Sequence, residues 1–228
     1  MVPPVQKLAE GVHQFQSNYF AKNRAMFEKL AEGQSPETLF ITCSDSRVNP
    51  NLITNTDPGE LFLVRNVGNI VPSVAGGVLG GVSAAIEYAV EVLQVSHIVV
   101  CGHTGCGAMD AILHPERVKH LPFVKRWLGE SSAIREIIAE RYGDLDPEAQ
   151  MNAAVEENVL VQLENLRSFP FVAQRMDTGK LTIGGWVYQI STGAVYDYDP
   201  LSQQFLQITA GDERPSFSSR PPPAMTTR

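Results

Sequence analysis

Apolar positions change period several times along this chain, and each change marks an element. Over residues 5–30, Leu8, Val12, Phe15, Tyr19, Phe20, Met26, Phe27 and Leu30 recur mostly at helical spacing, and Gly33-Gln34-Ser35-Pro36 closes the stretch. Three short apolar runs, residues 39–43, 61–65 and 97–101, have the length and composition of buried strands. The third is rich in β-branched side chains, which favours strand over helix. Between the second and third lies a Gly-rich opening, residues 76–81, followed by a helical pattern over 82–93. Strand, helix and strand with glycine at the junctions predict a parallel sheet with right-handed crossovers.

The second half reads as helix over 123–142, broken at Gly129, and again over 149–166. A strand follows over 180–188, with two shorter candidates at 194–198 and 205–208. From Gly211 the chain is rich in Pro and Ser, and residues 211–228 are expected to form a flexible tail. The pattern as a whole predicts an α/β fold. A central, mainly parallel β-sheet is flanked by helices, with an N-terminal helical arm, in a single domain over residues 1–210.

Composition narrows the function classes. At 228 residues and 43% hydrophobic, the chain can build one substantial core. Its net charge of −7 argues against nucleic acid and against an anionic membrane surface as partners. The most apolar region, 84–100, is interrupted by Glu87, Glu91, Gln94, Ser96 and His97, so no transmembrane span is expected. The first residues lack an apolar stretch of signal-peptide length, and three cysteines do not suit a disulfide framework. The expectation is a soluble, intracellular, cytoplasmic protein.

Two segments concentrate the chemistry: Cys43-Ser44-Asp45-Ser46-Arg47 and His103-Thr104-Gly105-Cys106-Gly107. Each follows the carboxyl end of a predicted strand, the edge where open α/β sheets place their ligands. Cys43, His103 and Cys106 make a Cys2His set, which suits zinc with one tetrahedral corner left open. Cys43 and Cys106 alone could be packed core thiols, as Cys101 in its apolar run is expected to be. Asp45 and Arg47, two residues apart, suit a charge-assisted pair beside the metal. Asp45 could orient a reactant, merely hold the loop through a salt bridge, or ligate the metal itself.

These two segments resemble the signatures of the β-class carbonic anhydrases. The likeness continues through Pro58-Gly59-Glu60-Leu61-Phe62, Arg65-Asn66-Val67-Gly68-Asn69 and Ala84-Ala85-Ile86-Glu87-Tyr88. It implies reversible hydration of CO2 to bicarbonate and a proton by hydroxide generated at zinc, with a homodimer as the smallest working unit. By the same resemblance Cys43, His103 and Cys106 bind one zinc ion per chain, and Asp45 with Arg47 forms the catalytic dyad. In the plant-type branch the substrate pocket positions match Gln34, Phe62, Val67 and Tyr88, with the Gly107 amide as donor. An apolar wall with a few donors suits CO2 and bicarbonate. Another branch carries a second bicarbonate site marked by Trp, Arg and Tyr. Here Arg65 and Tyr188 match but Phe40 replaces the Trp, so the resemblance points to the plant-type branch. Similar sequences occur in cyanobacteria, some of them carboxysomal, which leaves open a carboxysome location with a scaffold partner.

Three other readings compete. A related hydrolase acting on CS2 would share every motif. A zinc-stabilised scaffold would not need the Asp45–Arg47 pair. A thiol redox protein fits least, because Cys101 and Cys106 do not form Cys-x-x-Cys.

Overall fold

A computed structural model describes residues 3–74 and 80–212. Most of the Gly-rich opening ahead of the 82–93 helix, and the tail from residue 213, lie outside the described residues. Backbone contacts divide the chain into two units, Met1–Ser35 and Pro36–Arg228.

In the first unit the predicted helical stretch is two helices, α1 (Pro4–Gln14) and α2 (Arg24–Ala31), joined through a wider-wound π segment, Phe15–Phe20. Pro4 occupies the first helical turn, where a missing N–H costs nothing. The rings of Phe15, Tyr19 and Phe20 gather on Phe27, with Phe20 and Phe27 centroids 4.9 Å apart. That aromatic cluster ties α2 to the π segment.

The second unit is built on one six-stranded sheet in the order β2-β1-β3-β4-β5-β6. Its strands are β1 (Thr38–Cys43), β2 (Leu61–Asn66), β3 (His97–His103), β4 (Thr182–Tyr188), β5 (Val195–Asp199) and β6 (Gln204–Gln207). The first four are parallel, and β5 and β6 complete one edge in antiparallel sense. Strands β1 and β3 are buried almost throughout, and this is why they read as continuous apolar runs rather than alternating ones.

Helix α3 (Pro50–Thr54) follows β1, and α4 (Gly81–Glu87), extended by a π turn over Tyr88–Val92, links β2 to β3. Helix α5 (Gly107–Leu113) leaves the end of β3. Helices α6 (Pro122–Leu128) and α7 (Ala133–Arg141) meet at the Gly129 break, and α8 (Pro147–Arg167) and α9 (Pro170–Asp177) lead to β4.

The 21-residue α8 lies against β3 and β4, and glycines in those strands allow it to come close. A Cβ on Gly185 would stand 2.7 Å from Val159 Cγ1, and one on Gly102 would stand 3.0 Å from Val159 Cγ2. The main core therefore joins Leu39, Ile41, Ile98, Val100 and Ile183 to Val155, Val159 and Leu163 of α8. A second, smaller cluster holds Phe40, Val99 and Cys101, with the Phe40 ring edge-on to Trp186 at 5.9 Å.

Candidate metal centre

Strands β1 and β3 are adjacent and parallel, so their carboxyl ends open on the same edge of the sheet. Cys43 is the last residue of β1 and His103 the last of β3. Cys106 caps the N-terminus of α5 three residues later. One Sγ from each cysteine and one imidazole nitrogen come within 4.8 Å of one another, with all three residues buried. Among the described residues this is the group of His, Cys, Asp or Glu side chains that could hold a metal ion.

Two features test whether a metal fits. His103 Nδ1 lies 3.1 Å from the Thr104 carbonyl, which can only accept. Nδ1 therefore carries the proton, and the lone pair is on Nε2. That Nε2 is buried without a hydrogen-bond partner. Leaving a buried polar atom unpaired is costly unless something else occupies it, and a cation is what a lone pair beside two sulfurs can take. The sulfurs lie 4.0 Å apart, within reach of a hydrogen bond in which either could be the donor. Cys43 is drawn below the ordinary thiol value, first by its bond with Cys106, while Cys106 is pushed up, first by Cys43 and then by burial. The Gly68 amide also donates to Cys43 Sγ, at 3.4 Å.

Beside this group, Asp45 is gripped by Arg47. Arg47 Nε donates to Oδ1 at 2.9 Å and Nη2 to Oδ2 at 2.7 Å, and the Arg47 amide adds a third bond to Oδ1 at 2.9 Å. The Arg47 hydrogen bonds hold the Asp45 carboxyl well below the usual carboxylate range. Asp45 Oδ2 stands 3.9 Å from His103 Nε2, so the carboxylate borders the ligand group while staying bound to Arg47. Arg47 Nη2 also reaches the Gly105 carbonyl at 3.1 Å, which ties the β1 loop to the β3 loop. From β2, Arg65 donates to the carbonyls of Cys43 and Asp45, at 3.1 and 2.8 Å.

Sequence reasoning named none of these backbone partners (the Thr104 and Gly105 carbonyls and the Gly68 amide), and main-chain groups carry no sequence signal of their own. Of their residues, Gly68 falls in the Arg65-to-Asn69 run and Thr104 and Gly105 in the His103-to-Gly107 segment, but nothing in the sequence pointed to their main-chain groups.

The remaining expected site residues lie on other elements. Gly107 begins α5 immediately after Cys106. Val67 is 44% exposed and its carbonyl accepts a hydrogen bond from Trp127 Nε1 at 2.7 Å. Phe62 and Tyr88 meet as a tilted pair with centroids 6.0 Å apart. In register, however, Phe62 faces Leu39, whereas Asn66 faces Cys43. At about 3.3 Å per residue, Phe62 lies roughly 13 Å back along the strand from the level of Cys43. Within one chain, then, Phe62 and Tyr88 do not reach the ligand group. Gln34 is an exposed residue of the N-terminal unit. Cys101, wholly buried in the smaller core cluster, is not a member of the Cys-His-Cys group.

A family model described as "Carbonic anhydrase" matches residues 38–195. A carbonic anhydrase of Synechocystis is 43% identical over 203 residues, covering 89% of this chain and 74% of that one. Among solved structures, the β-carbonic anhydrase CcaA superposes with a TM-score of 0.88 at 42% identity, covering 90% of this chain and all of that one. A tetrameric β-carbonic anhydrase of Sordaria macrospora gives 0.76 at 29% identity, covering 85% and 95%. Similarity of this extent, over the strands that carry the Cys-His-Cys group, makes the chain a member of the β-class carbonic anhydrase family.

Proposed function

We propose that the protein is a zinc-dependent carbonic anhydrase that interconverts CO2 and water with bicarbonate and a proton. The observation that carries this reading is the position of the Asp45–Arg47 pair. A carboxylate held through both oxygens stands at the edge of a buried Cys-His-Cys set and is not one of its members.

Cys43, His103 and Cys106 would hold one zinc ion per chain, which, when bound, supplies Lewis-acid activation of a water near neutral pH. The chain's own residues do the rest. Asp45, an acceptor only while ionised, takes the proton-bearing side of the attacking water and turns its free lone pair toward CO2. Arg47 keeps that carboxylate ionised and fixes its plane, and through Gly105 fixes its distance from the His103 loop. The Gly107 amide, which begins α5, would donate to a bicarbonate oxygen.

An apolar wall for CO2 requires a second copy of the chain. Val67 stands beside Gly68, close to Cys43, but the Phe62–Tyr88 pair is too far along its own strand. Tyr88 is 45% exposed, as expected for a side chain offered to a neighbouring protomer. This supports a homodimer or higher oligomer, in line with the tetrameric fungal relative. Among the described residues, no helix is long and apolar enough to cross a membrane. A reducing, cytoplasmic setting keeps the two ligand thiols available to metal.

Stopped-flow CO2 hydration, read together with metal content, tests the reading. Zinc-loaded protein should turn over CO2, lose that activity on chelation and regain it with added zinc. Stoichiometric zinc without CO2 hydration would overturn it.

A further inference from the structure

Gly68 is the residue whose amide reaches the Cys43 sulfur, yet its own backbone preference does little to aim that amide. Its φ is +85°, in the region glycine alone enters freely, and a glycine explores more backbone conformations than any other residue. Something outside must set it. On one side, a Cβ at position 68 would stand 2.8 Å from the Ala108 Cβ, so the loop is pressed onto the first turn of α5. On the other, Asn158 of α8 donates from Nδ2 to the Gly68 carbonyl at 3.0 Å.

Asn158 is 1% exposed and is itself locked in place. Its Oδ1 accepts from Gln162 Nε2 at 2.9 Å, and Gln162 Nε2 also donates to Ser131 Oγ at 3.0 Å. Gln162 Oε1 accepts from the Val71 amide at 2.8 Å, and Asn165 Nδ2 donates to the Val71 carbonyl at 2.8 Å. Thus one face of α8 carries three amides in successive turns that grip the loop after β2. A buried amide row of this kind costs desolvation unless every member is bonded. Core packing of α8 against the sheet has no need of it, since Val155, Val159 and Leu163 serve that contact.

We propose that Asn158 is a positioning residue for the metal centre, holding Gly68 so that its amide stays on the Cys43 sulfur. The proposal rests on the zinc reading above. Groups that orient a metal ligand from behind typically change metal affinity 10- to 100-fold when removed, and an N–H donor also lowers the energy of the sulfur electrons.

The test uses the full chain loaded with cobalt, whose thiolate charge-transfer band reports on the sulfur, and with zinc, whose release to a chelator is timed. Asn158→Asp keeps the shape and the acceptor for Gln162 but loses the donor to Gly68; Asn158→Leu loses both. Leu166→Ala, a buried change about two turns further along the same helix and outside the hydrogen bonds of Asn158, controls for general loss of stability. The expected result is zinc release about 10- to 100-fold faster in the Asn158 variants, with the cobalt band moved to longer wavelength. Leu166→Ala should leave the band in place. If Asn158→Leu does not fold, the isosteric Asn158→Asp carries the test. An unmoved band, with zinc release no faster than in Leu166→Ala, overturns the role of Asn158. A wild-type chain without any thiolate-to-cobalt band overturns the zinc reading instead.

Discussion

Asp45 and Arg47 form a two-pronged pair, Nε to Oδ1 at 2.9 Å and Nη2 to Oδ2 at 2.7 Å, and this fixes the plane of the carboxylate beside His103. Such a pair is far more directional than a single ion contact. Its consequence separates metal binding from turnover. Asp45→Asn keeps the size of the side chain and leaves Cys43, His103 and Cys106 themselves unchanged, so zinc content should stay near one per chain. The amide puts a donor where the water needs an acceptor, and CO2 hydration should fall by about 10²- to 10⁴-fold. Zinc analysis beside stopped-flow hydration checks both halves. Full turnover in the variant would remove Asp45 from the reaction.

The thiols should divide two against one. Cys43 and Cys106 are close enough to share a proton, whereas Cys101 is fully buried and burial pushes it up to about 12. A thiol with so little thiolate at neutral pH is a poor nucleophile. Alkylation followed by mass spectrometry should give no adduct on the zinc form; on the chelated form Cys43, the thiol drawn below its ordinary value, should react first, and Cys106 should follow once the Cys43 thiolate that raises it is capped. The third should appear only after denaturation. Cys101→Ala should retain full zinc content. Modification of Cys101 ahead of the other two would contradict the ligand assignment.

How far the sequence carried can be seen at particular residues. The runs ending at Cys43 and preceding His103 were legible because central parallel strands are buried on both faces and leave an unbroken apolar signature. The Cys-His-Cys group that could hold a metal, and the Asp45–Arg47 pair beside it, drew notice for a different reason: Cys-x-Asp-x-Arg and His-x-x-Cys are chemically distinctive at those short spacings. Strand order was not legible. Nothing local says that β1 lies between β2 and β3, because that is decided by how the crossovers pack. Register was hidden for the same reason, and only register shows that Phe62 faces Leu39 and sits far from Cys43. The short helices α3, α5 and α9, of five, seven and eight residues, offer too few turns for a periodic pattern. The N-terminal stretch reads mostly at helical spacing, and the π segment over Phe15–Phe20 gave no separate sign.

A half-buried phenol bonded to a buried acid predicts how the fold responds to alkali. Tyr142 donates its hydroxyl to Glu157 Oε1 at 2.8 Å, and Glu157 is 4% exposed on α8, with Arg141 Nη1 3.8 Å away. Burial first, then the bond to the carboxylate, raises the Tyr142 phenol to about 12. A group raised in the folded state contributes stability that is fully present below its unfolded value, about 10 for tyrosine. That contribution is lost as pH rises toward the folded value. Urea unfolding across the window from about 10 to about 12 should show the wild type losing stability faster than Tyr142→Phe. At neutral pH the variant should be the weaker of the two, by about 1–3 kcal/mol, because a buried carboxylate has lost its donor. Parallel pH profiles would show that the phenol is not held by Glu157.

The approach of α8 to the sheet should tolerate little added bulk. A methyl on Gly185 would come to 2.7 Å from Val159 Cγ1 and 3.1 Å from Leu163 Cδ1, both on β-branched or packed side chains with little room to turn. Gly185→Ala should therefore lower stability by about 1–3 kcal/mol through overpacking. Gly129, with φ near −57° and nothing within 4 Å of its would-be Cβ, supplies the contrast. Gly129→Ala should be neutral or stabilising by up to about 1 kcal/mol, because it restricts only the unfolded chain. The cause at Gly185 can be isolated by removing the obstacle. Val159→Ala alone leaves a cavity and destabilises, but combined with Gly185→Ala the new methyl fills part of the space that valine vacated. The double variant should then be more stable than the sum of the single changes predicts, by at least about 0.5 kcal/mol. Simple additivity in denaturant unfolding would mean that the strain of Gly185→Ala is relieved by a shift of the whole helix, and that Val159 is not what sets the distance between α8 and the strands behind the metal ligands.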